Sequence, residues 1–342
     1  MSVSVGLVGF GNAGRYMHCP LVLAAGMQVR GVVTRQADAV KETLGDVQVH
    51  ADFDTLLNDP AIDLVVIATP NHLHAPQAMA ALRAGKHVVI DKPFALDSRQ
   101  ADELLAIAQA GKGCLAVFHN RRWDSDFLTL KQVLDAGRLG EIYSAQLRWD
   151  RFRPVVQTRW REHREYGGGL FADLGTHLID QVMCLFGQPE WVQADLLTQR
   201  PGAVVEDGFE LLLGKGRLRV QIGCSSVAAD NALRYRLHGT LGSLSKTGLD
   251  MQEAQLRAGM DPLFAQFGVE PAEQHAQLID GNGGCERIPS VRGDWVEFYR
   301  GVRRAIESQT PVPVSGFDAK QVMRVIDAAR LSHLEQRRVG LS

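Results

Sequence analysis

Through its first third the chain alternates short apolar runs with longer stretches of helical periodicity. Valine-, isoleucine- and leucine-rich runs at residues 3–8, 27–34, 47–50, 64–68, 87–91 and 115–118 read as strands. Helical stretches such as 15–25, 75–84 and 98–109 separate them. Six strands joined by helices predict a parallel sheet and an α/β fold. Asp97 followed by Gln100 marks a helix start, and Gly85 ends the helix before it. From about Trp123 the pattern changes to the two-residue alternation of a mostly antiparallel sheet, at 142–152, 192–197, 209–213, 218–225 and 235–237. Helices are expected over 170–186, 295–308 and 318–336. Residues 250–293, rich in Gly, Gln and Pro, read as a mobile excursion near the site.

The first strand runs straight into Gly9-Phe10-Gly11-Asn12-Ala13-Gly14, and a helical stretch follows. Strand, glycine turn and helix in that order form a dinucleotide-binding pattern. Gly9 permits the tight turn, Gly11 lets backbone approach a pyrophosphate, and Gly14 allows close helix packing beside the free amides of the helix start. Residues 1–120 are therefore expected to be a Rossmann dinucleotide-binding domain, and 121–342 a C-terminal α+β domain with an open sheet. Cofactor choice rests on the end of the second strand, where a carboxylate would take the ribose hydroxyls of NAD. Thr34 and Arg35 stand there instead. A guanidinium pairs with a 2′-phosphate through charge-assisted hydrogen bonds, which favours NADP over NAD. The alternative is that Arg35 is a solvated loop charge and Asp38 serves the ribose.

Composition narrows the partners. The chain has 342 residues, enough for two cores, and a formal charge of -2 that gives no reason to invoke nucleic acid or an anionic membrane. A small-molecule partner is expected, with no nucleic acid, membrane or metal. Cys19, Cys114, Cys184, Cys224 and Cys285 lie far apart, without metal or redox spacing, and read as reduced, mostly buried thiols. The start of the chain lacks the look of a secretory leader, and the apolar run at 64–68 is far too short to span a bilayer, so a cytoplasmic location is expected.

Two further constellations carry chemistry. Asp91-Lys92-Pro93 follows the fifth strand, at the carboxyl end of the sheet where ligands bind in open α/β folds. An ammonium there can hydrogen-bond a substrate hydroxyl and ease its deprotonation; the plainer alternative is a surface lysine in a loop. Gly167-Gly168-Gly169 leads into an apolar helix carrying Asp173, His177 and Asp180, spaced by four and three so that all project from one face. Histidine titrates nearest neutrality, so His177 suits acid–base work. A buried histidine satisfied by a carboxylate one turn away is the competing reading.

The glycine fingerprint, Asp91-Lys92-Pro93 and the run from Gly167 to Asp180 resemble the Gfo/Idh/MocA oxidoreductases over nearly the whole chain. Ala68-Thr69-Pro70-Asn71, His119 to Asp124, Arg151 to Pro154, Arg159-Trp160-Arg161 and Ile288 to Val291 are similar to the family's NADP-dependent scyllo-inositol 2-dehydrogenase branch. The resemblance implies an NAD(P)-dependent dehydrogenase acting on the CH–OH group of a cyclic polyol or sugar, best guessed as scyllo-inositol. It implies that Lys92 and His177 carry the acid–base chemistry and that Asp173 positions substrate or His177. Thr69, Pro70, Asn71, His74 and Asp91 would then lie along the cofactor, and Asn120 toward the substrate. Asp91 departs from the family's usual Glu, which shortens that contact but leaves Lys92 in register. The second domain would bind substrate and support a homo-oligomer, a dimer or tetramer.

Residues 148–164 carry six arginines interleaved with Trp149, Phe152 and Trp160. Arg153 and Trp160 are substrate-side candidates, against a solvated arginine face or a subunit contact. Two other functions stay open: a sugar- or cofactor-sensing regulator without turnover, and a reductase of a non-sugar carbonyl on the same fold.

Overall fold

The computed structural model describes residues 2–341. The chain divides into two compact units that interleave along the sequence. Met1–Trp123, Gln252–Phe267 and Asp294–Lys320 form the first; Asp124–Met251, Gly268–Gly293 and Gln321–Ser342 form the second. Among the described residues no helix is long and apolar enough to cross a membrane.

The first unit is built on six parallel strands: β1 Ser4–Val8, β2 Gln28–Val33, β3 Gln48–His50, β4 Leu64–Ile67, β5 His87–Ile90 and β6 Leu115–Val117. Their order, β3-β2-β1-β4-β5-β6, is that of a Rossmann fold, with the change of direction between β1 and β4 where such sheets bind nucleotides. β1 and β4 are buried along their whole length, which is why they read as unbroken apolar runs. The later segment 294–320 belongs to this unit: the Val117 amide donates to the Val314 carbonyl, and Ala116 bridges Ser315, so the edge of β6 is covered. Asp97 caps Ser98–Ala110 by accepting from the Gln100 amide at 2.8 Å, and the Gln100 side chain accepts from Leu96, one residue short of a reciprocal box. One helix differs from the sequence reading, since it spans Asn71–Arg83 rather than starting at 75. Pro70 stands before its first turn and Pro76 lies within it, costing one backbone bond that the buried face outweighs.

The second unit carries a nine-stranded sheet formed by β7 Ile142–Arg148, β8 Trp191–Leu197, β9 Gly208–Lys215, β10 Leu218–Ser225, β11 Leu233–Gly239, β12 Gly242–Thr247, β13 Ala276–Asp280, β14 Cys285–Ile288 and β15 Val339–Gly340. The order is β14-β13-β12-β11-β7-β10-β9-β8-β15. Only β7 with β10 runs parallel, so the sheet is mostly antiparallel as expected. The segment 250–293, expected to be an excursion, holds regular structure in part. Gln252–Arg257 is helical, and β13 and β14 extend the sheet through a hairpin. Asp280 fixes that turn by accepting from the Asn282 and Gly284 amides, a local bond that composition does not reveal. Cys184 and Cys285 are exposed, so the cysteines are less buried than expected; Cys285 lies on the edge strand.

A buried polar network ties this unit together. Arg234 on β11 donates to Asp126 at 2.8 Å, to Gln181 at 2.9 Å and to the Arg148 carbonyl at 3.0 Å, while Tyr235 donates to Gln181 at 3.1 Å. Asp126 sits on Ser125–Asp135 and Gln181 on Thr176–Phe186, so two helices are fastened to the sheet through one guanidinium. Arg234 and Asp126 are both buried, which makes the pair costly to break from one side. Replacing Arg234→Met strands the Asp126 charge and should cost about 3–5 kcal/mol, read from the urea midpoint. An unchanged midpoint would show that the network adds nothing to stability.

Candidate functional site

The nucleotide half begins at the carboxyl end of β1. Gly9 has φ +96, and a Cβ there would lie 2.6 Å from the Ala68 carbonyl oxygen. A Cβ on Gly14 would lie 2.0 Å from the Gly9 carbonyl. Both positions are closed by backbone, so only glycine fits. Gly11 is different: it is exposed, and nothing lies within 4 Å of where its Cβ would be. An open glycine at the start of a helix, between two glycines locked by packing, fits a dinucleotide pyrophosphate. Phe10 is buried beneath the turn, Asn12 is exposed and Ala13 half-buried beside it. The helix that follows widens into a π-turn over Gly14–His18, in which the Cys19 amide donates to the Gly14 carbonyl.

At the end of β2 the Thr34 hydroxyl accepts from the Gln36 amide at 3.0 Å, and Arg35 is exposed. That turn holds the helix Ala37–Leu44, with Asp38 in its first turn. At the end of β4 the Thr69 hydroxyl donates to Gln77 at 2.7 Å, Pro70 precedes the helix, and Asn71 is buried. His74 is also buried, with Nδ1 2.8 Å from the Pro93 carbonyl and Nε2 2.8 Å from the Thr69 carbonyl. Carbonyl oxygens only accept, so the neutral ring that burial favours donates its one N–H to one of the two and turns its other nitrogen toward the second. His74 thus sits between the ends of β4 and β5, with a carbonyl oxygen from beyond each strand at hydrogen-bond distance. Burial lowers its pKa, against the Asp91 charge and the two carbonyls.

Asp91 and Lys92 follow β5. The Asp91 carboxylate accepts from the Lys92 amide at 2.8 Å, which fixes the lysine backbone. Burial alone would raise the Asp91 pKa, but His18, Lys92 and His74 outweigh it and hold the carboxyl at about 2. Lys92 is half-buried, the peptide bond to Pro93 is cis, and Asn120 lies buried in the same unit just after β6.

The second unit supplies a separate pocket. Arg151, Arg161, Gly169, Leu170, Asp173 and Glu206 line it, and Asp173 stands 3.7 Å from both Arg151 and Arg161. Arg159, Glu162 and Arg200 line it too, and with Asp207 they form a chain of ion pairs at 2.9, 2.7 and 2.9 Å. A Cβ on Gly168 would strike the Arg161 carbonyl, and one on Gly169, at φ +115, would strike the Glu206 carboxyl. Gly168 and Gly169 are therefore packing requirements of the pocket. Burial raises the Glu206 pKa. A second π-turn, Phe171–Gly175, carries Asp173, so Asp173 and His177 do not follow the regular one-face spacing that the sequence suggests. Asp173 is half-buried toward the pocket arginines, whereas His177 is buried and stacks on Trp149 with ring centroids 5.9 Å apart. Asp180 is buried on the same helix. Trp160 is half-buried under the Arg161 guanidinium, and Arg153 is exposed, its backbone amide held by Ser226.

Several residues at these two places have no role assigned from the sequence. His18, Phe118 and Tyr299 pack behind Asp91, and Arg151, Arg161 and Glu206 surround Asp173. The arginines stood in a visible cluster; His18 and Tyr299 are 281 positions apart and gave no joint signal.

Comparison with known proteins matches residues 3–119 to a Gfo/Idh/MocA model described as an oxidoreductase family, NAD-binding Rossmann fold. Residues 131–341 match the family's C-terminal alpha/beta domain. The chain is 37% identical to the scyllo-inositol 2-dehydrogenase (NADP(+)) IolW of Bacillus subtilis, covering 99% of this chain and 96% of that protein. It is 41% identical to the uncharacterized oxidoreductase YdgJ of Escherichia coli, covering 95% of each. Among solved structures, the putative oxidoreductase yvaA of Bacillus subtilis superposes with a TM-score of 0.97 at 36% identity, covering 100% of this chain and 99% of that one.

The contrast between the glycines separates packing from binding. Gly11→Ala should leave the melting temperature unchanged and weaken nucleotide binding by about tenfold or more, read by calorimetric titration. Gly14→Ala should lower the melting temperature instead. Equal nucleotide affinity in wild type and Gly11→Ala would remove Gly11 from the binding surface.

Proposed function

The chain belongs to the Gfo/Idh/MocA oxidoreductase family, and from that premise we propose that it transfers hydride between a secondary hydroxyl of a cyclic polyol or sugar and NADP, with scyllo-inositol as the first substrate to test. The observation that carries this reading is Lys92, held through its own amide by the Asp91 carboxylate at the end of β5, in the unit that bears the open glycine turn. The name of the relative at 37% identity supports the substrate and the cofactor.

The acceptor for the hydride leaving the carbinol carbon would be supplied by a bound nicotinamide. The turn that Gly9 and Gly14 shape over the buried Phe10, with Gly11, Asn12 and Ala13 at its surface, would hold the pyrophosphate at the helix start. Thr34 and Arg35 would take the 2′-phosphate, and Thr69, Pro70 and Asn71 would lie toward the nicotinamide. His74 and Asp91 fix the backbone that carries those contacts. The Lys92 ammonium donates a hydrogen bond to the reacting oxygen and lowers the cost of its deprotonation. His177, its ring set by stacking on Trp149, takes the hydroxyl proton. Asp173, flanked by Arg151 and Arg161, accepts from substrate hydroxyls while the arginines donate to their oxygens. Asn120, Arg153 and Trp160 complete the substrate contacts.

NADPH formation with scyllo-inositol, followed by absorbance, tests the reading. Wild type should turn over, and His177→Ala should lose about 10²- to 10⁴-fold in kcat. Equal rates would reject the role of His177, and no turnover across inositols and aldoses would reject the polyol reading. Arg35→Ala should raise the KM for NADP about tenfold or more and leave that for NAD unchanged. A parallel rise for both nucleotides, or none, would return the ribose to Asp38.

A further inference from the structure

Behind Asp91 lies a line of buried polar groups that the roles given above do not use. His18 closes the π-turn that follows the glycine fingerprint and is fully buried. Its Nδ1 is 2.6 Å from the Tyr299 hydroxyl, on the helix Val296–Ser308. Its Nε2 faces the Asp91 carboxylate at 3.8 Å and has no hydrogen-bond partner among the described residues. The ring lies against Phe118, with centroids 4.3 Å apart. Three chain segments thus meet: the helix that begins at the fingerprint, the end of β5, and a helix nearly 300 residues into the chain.

We propose that His18 is a positioning residue for the Asp91–Lys92 pair, with Tyr299 donating to Nδ1 so that the Nε2 hydrogen is aimed at the Asp91 carboxylate. The chemistry of the line selects that polarity. Burial pushes the Tyr299 phenol well above its ordinary pKa, so it keeps its proton and donates. A donor at Tyr299 leaves the imidazole hydrogen on Nε2, the nitrogen that faces an acceptor-only carboxylate. The carboxylate in turn accepts from the Lys92 amide, so the alignment of His18 passes to the lysine backbone. Asp91 is faced by His18 and Tyr299 from the two helices and by His74 and Lys92 from beside it, with Cys19 next to Tyr299. Of these, the His18 side chain is foremost among the groups that lower its pKa against burial. Removing it raises the pH at which the carboxylate becomes protonated, so function that needs the anion is lost at a higher pH as pH falls.

The role of Lys92 in turnover is the reading given above; that of His18 is read on the Asp91 carboxyl itself and needs no turnover. In the full chain with ¹³C-labelled aspartate, the Asp91 carboxyl should titrate near the foot of the carboxylate range in wild type. Its midpoint should rise by about a pH unit or more in His18→Leu, and return toward wild type in His18→Gln, whose amide keeps a donor near the Nε2 position. Tyr299→Phe should populate both His18 tautomers in ¹⁵N spectra where wild type shows Nε2–H alone. If polyol turnover is found, the acid limb of kcat in His18→Leu should move to higher pH with KM for the polyol unchanged. Its absence in wild type would sink the substrate reading and leave the carboxyl titration standing. An Asp91 midpoint equal in wild type, His18→Leu and His18→Gln overturns the proposal. Should His18→Leu fail to fold, a wild-type imidazole with its hydrogen on Nδ1, or tautomers unaffected by Tyr299→Phe, overturns it equally.

Discussion

The close approach of backbone at the ends of β1 and β4 is the constraint from which the nucleotide half follows. Gly9 and Gly14 leave no room for a Cβ, because the Ala68 and Gly9 carbonyls occupy the space. That tight stack lets the helix start immediately, at the point where the sheet reverses its order, and exposes Gly11 as the surface a ligand can meet. The ends of β4 and β5 also meet at His74, which lies between a carbonyl from each and donates to one of them. Lys92 therefore rests on a backbone held from several directions before any substrate arrives.

Both units place site residues on π-turns, Gly14–His18 in one and Phe171–Gly175 in the other. A π-turn takes one more residue than an α-turn, which rotates the side chains that follow it off the regular face. In the first unit this sets His18 behind Asp91; in the second it sends Asp173 toward Arg151 and Arg161 while His177 packs on Trp149. Glycines make room for these turns: a Cβ on Gly175 would strike the Phe171 ring, and one on Gly169 the Glu206 carboxyl. The glycine-rich stretch before Asp173 is thus shaped by packing as much as by flexibility.

Much of the fold was legible because buried parallel strands are unbroken apolar runs. The six strands of the first sheet were found to within a residue or two of their ends. Where the reading failed, a local bond overrode composition. Pro70 and Pro76 hid the true start of Asn71–Arg83, and the Asp280 turn made a hairpin of a stretch that looked like loop. The fingerprint and Asp91-Lys92-Pro93 were visible because motif residues are contiguous. The supporting shell was not: Arg234 meets Asp126 and Gln181, and His18 meets Tyr299, only once the chain has folded. Nothing in the local sequence distinguishes those side chains from other buried polar residues.

The proposed reaction passes a hydride directly from a polyol carbinol to NADP. The most direct measurement uses a polyol deuterated at the carbon that is oxidised, with the reduced nucleotide examined by NMR. Deuterium should appear at C4 of the nicotinamide, one for each ketone formed. Reduced nucleotide without label, or label released to water, would contradict direct transfer and the function built on it.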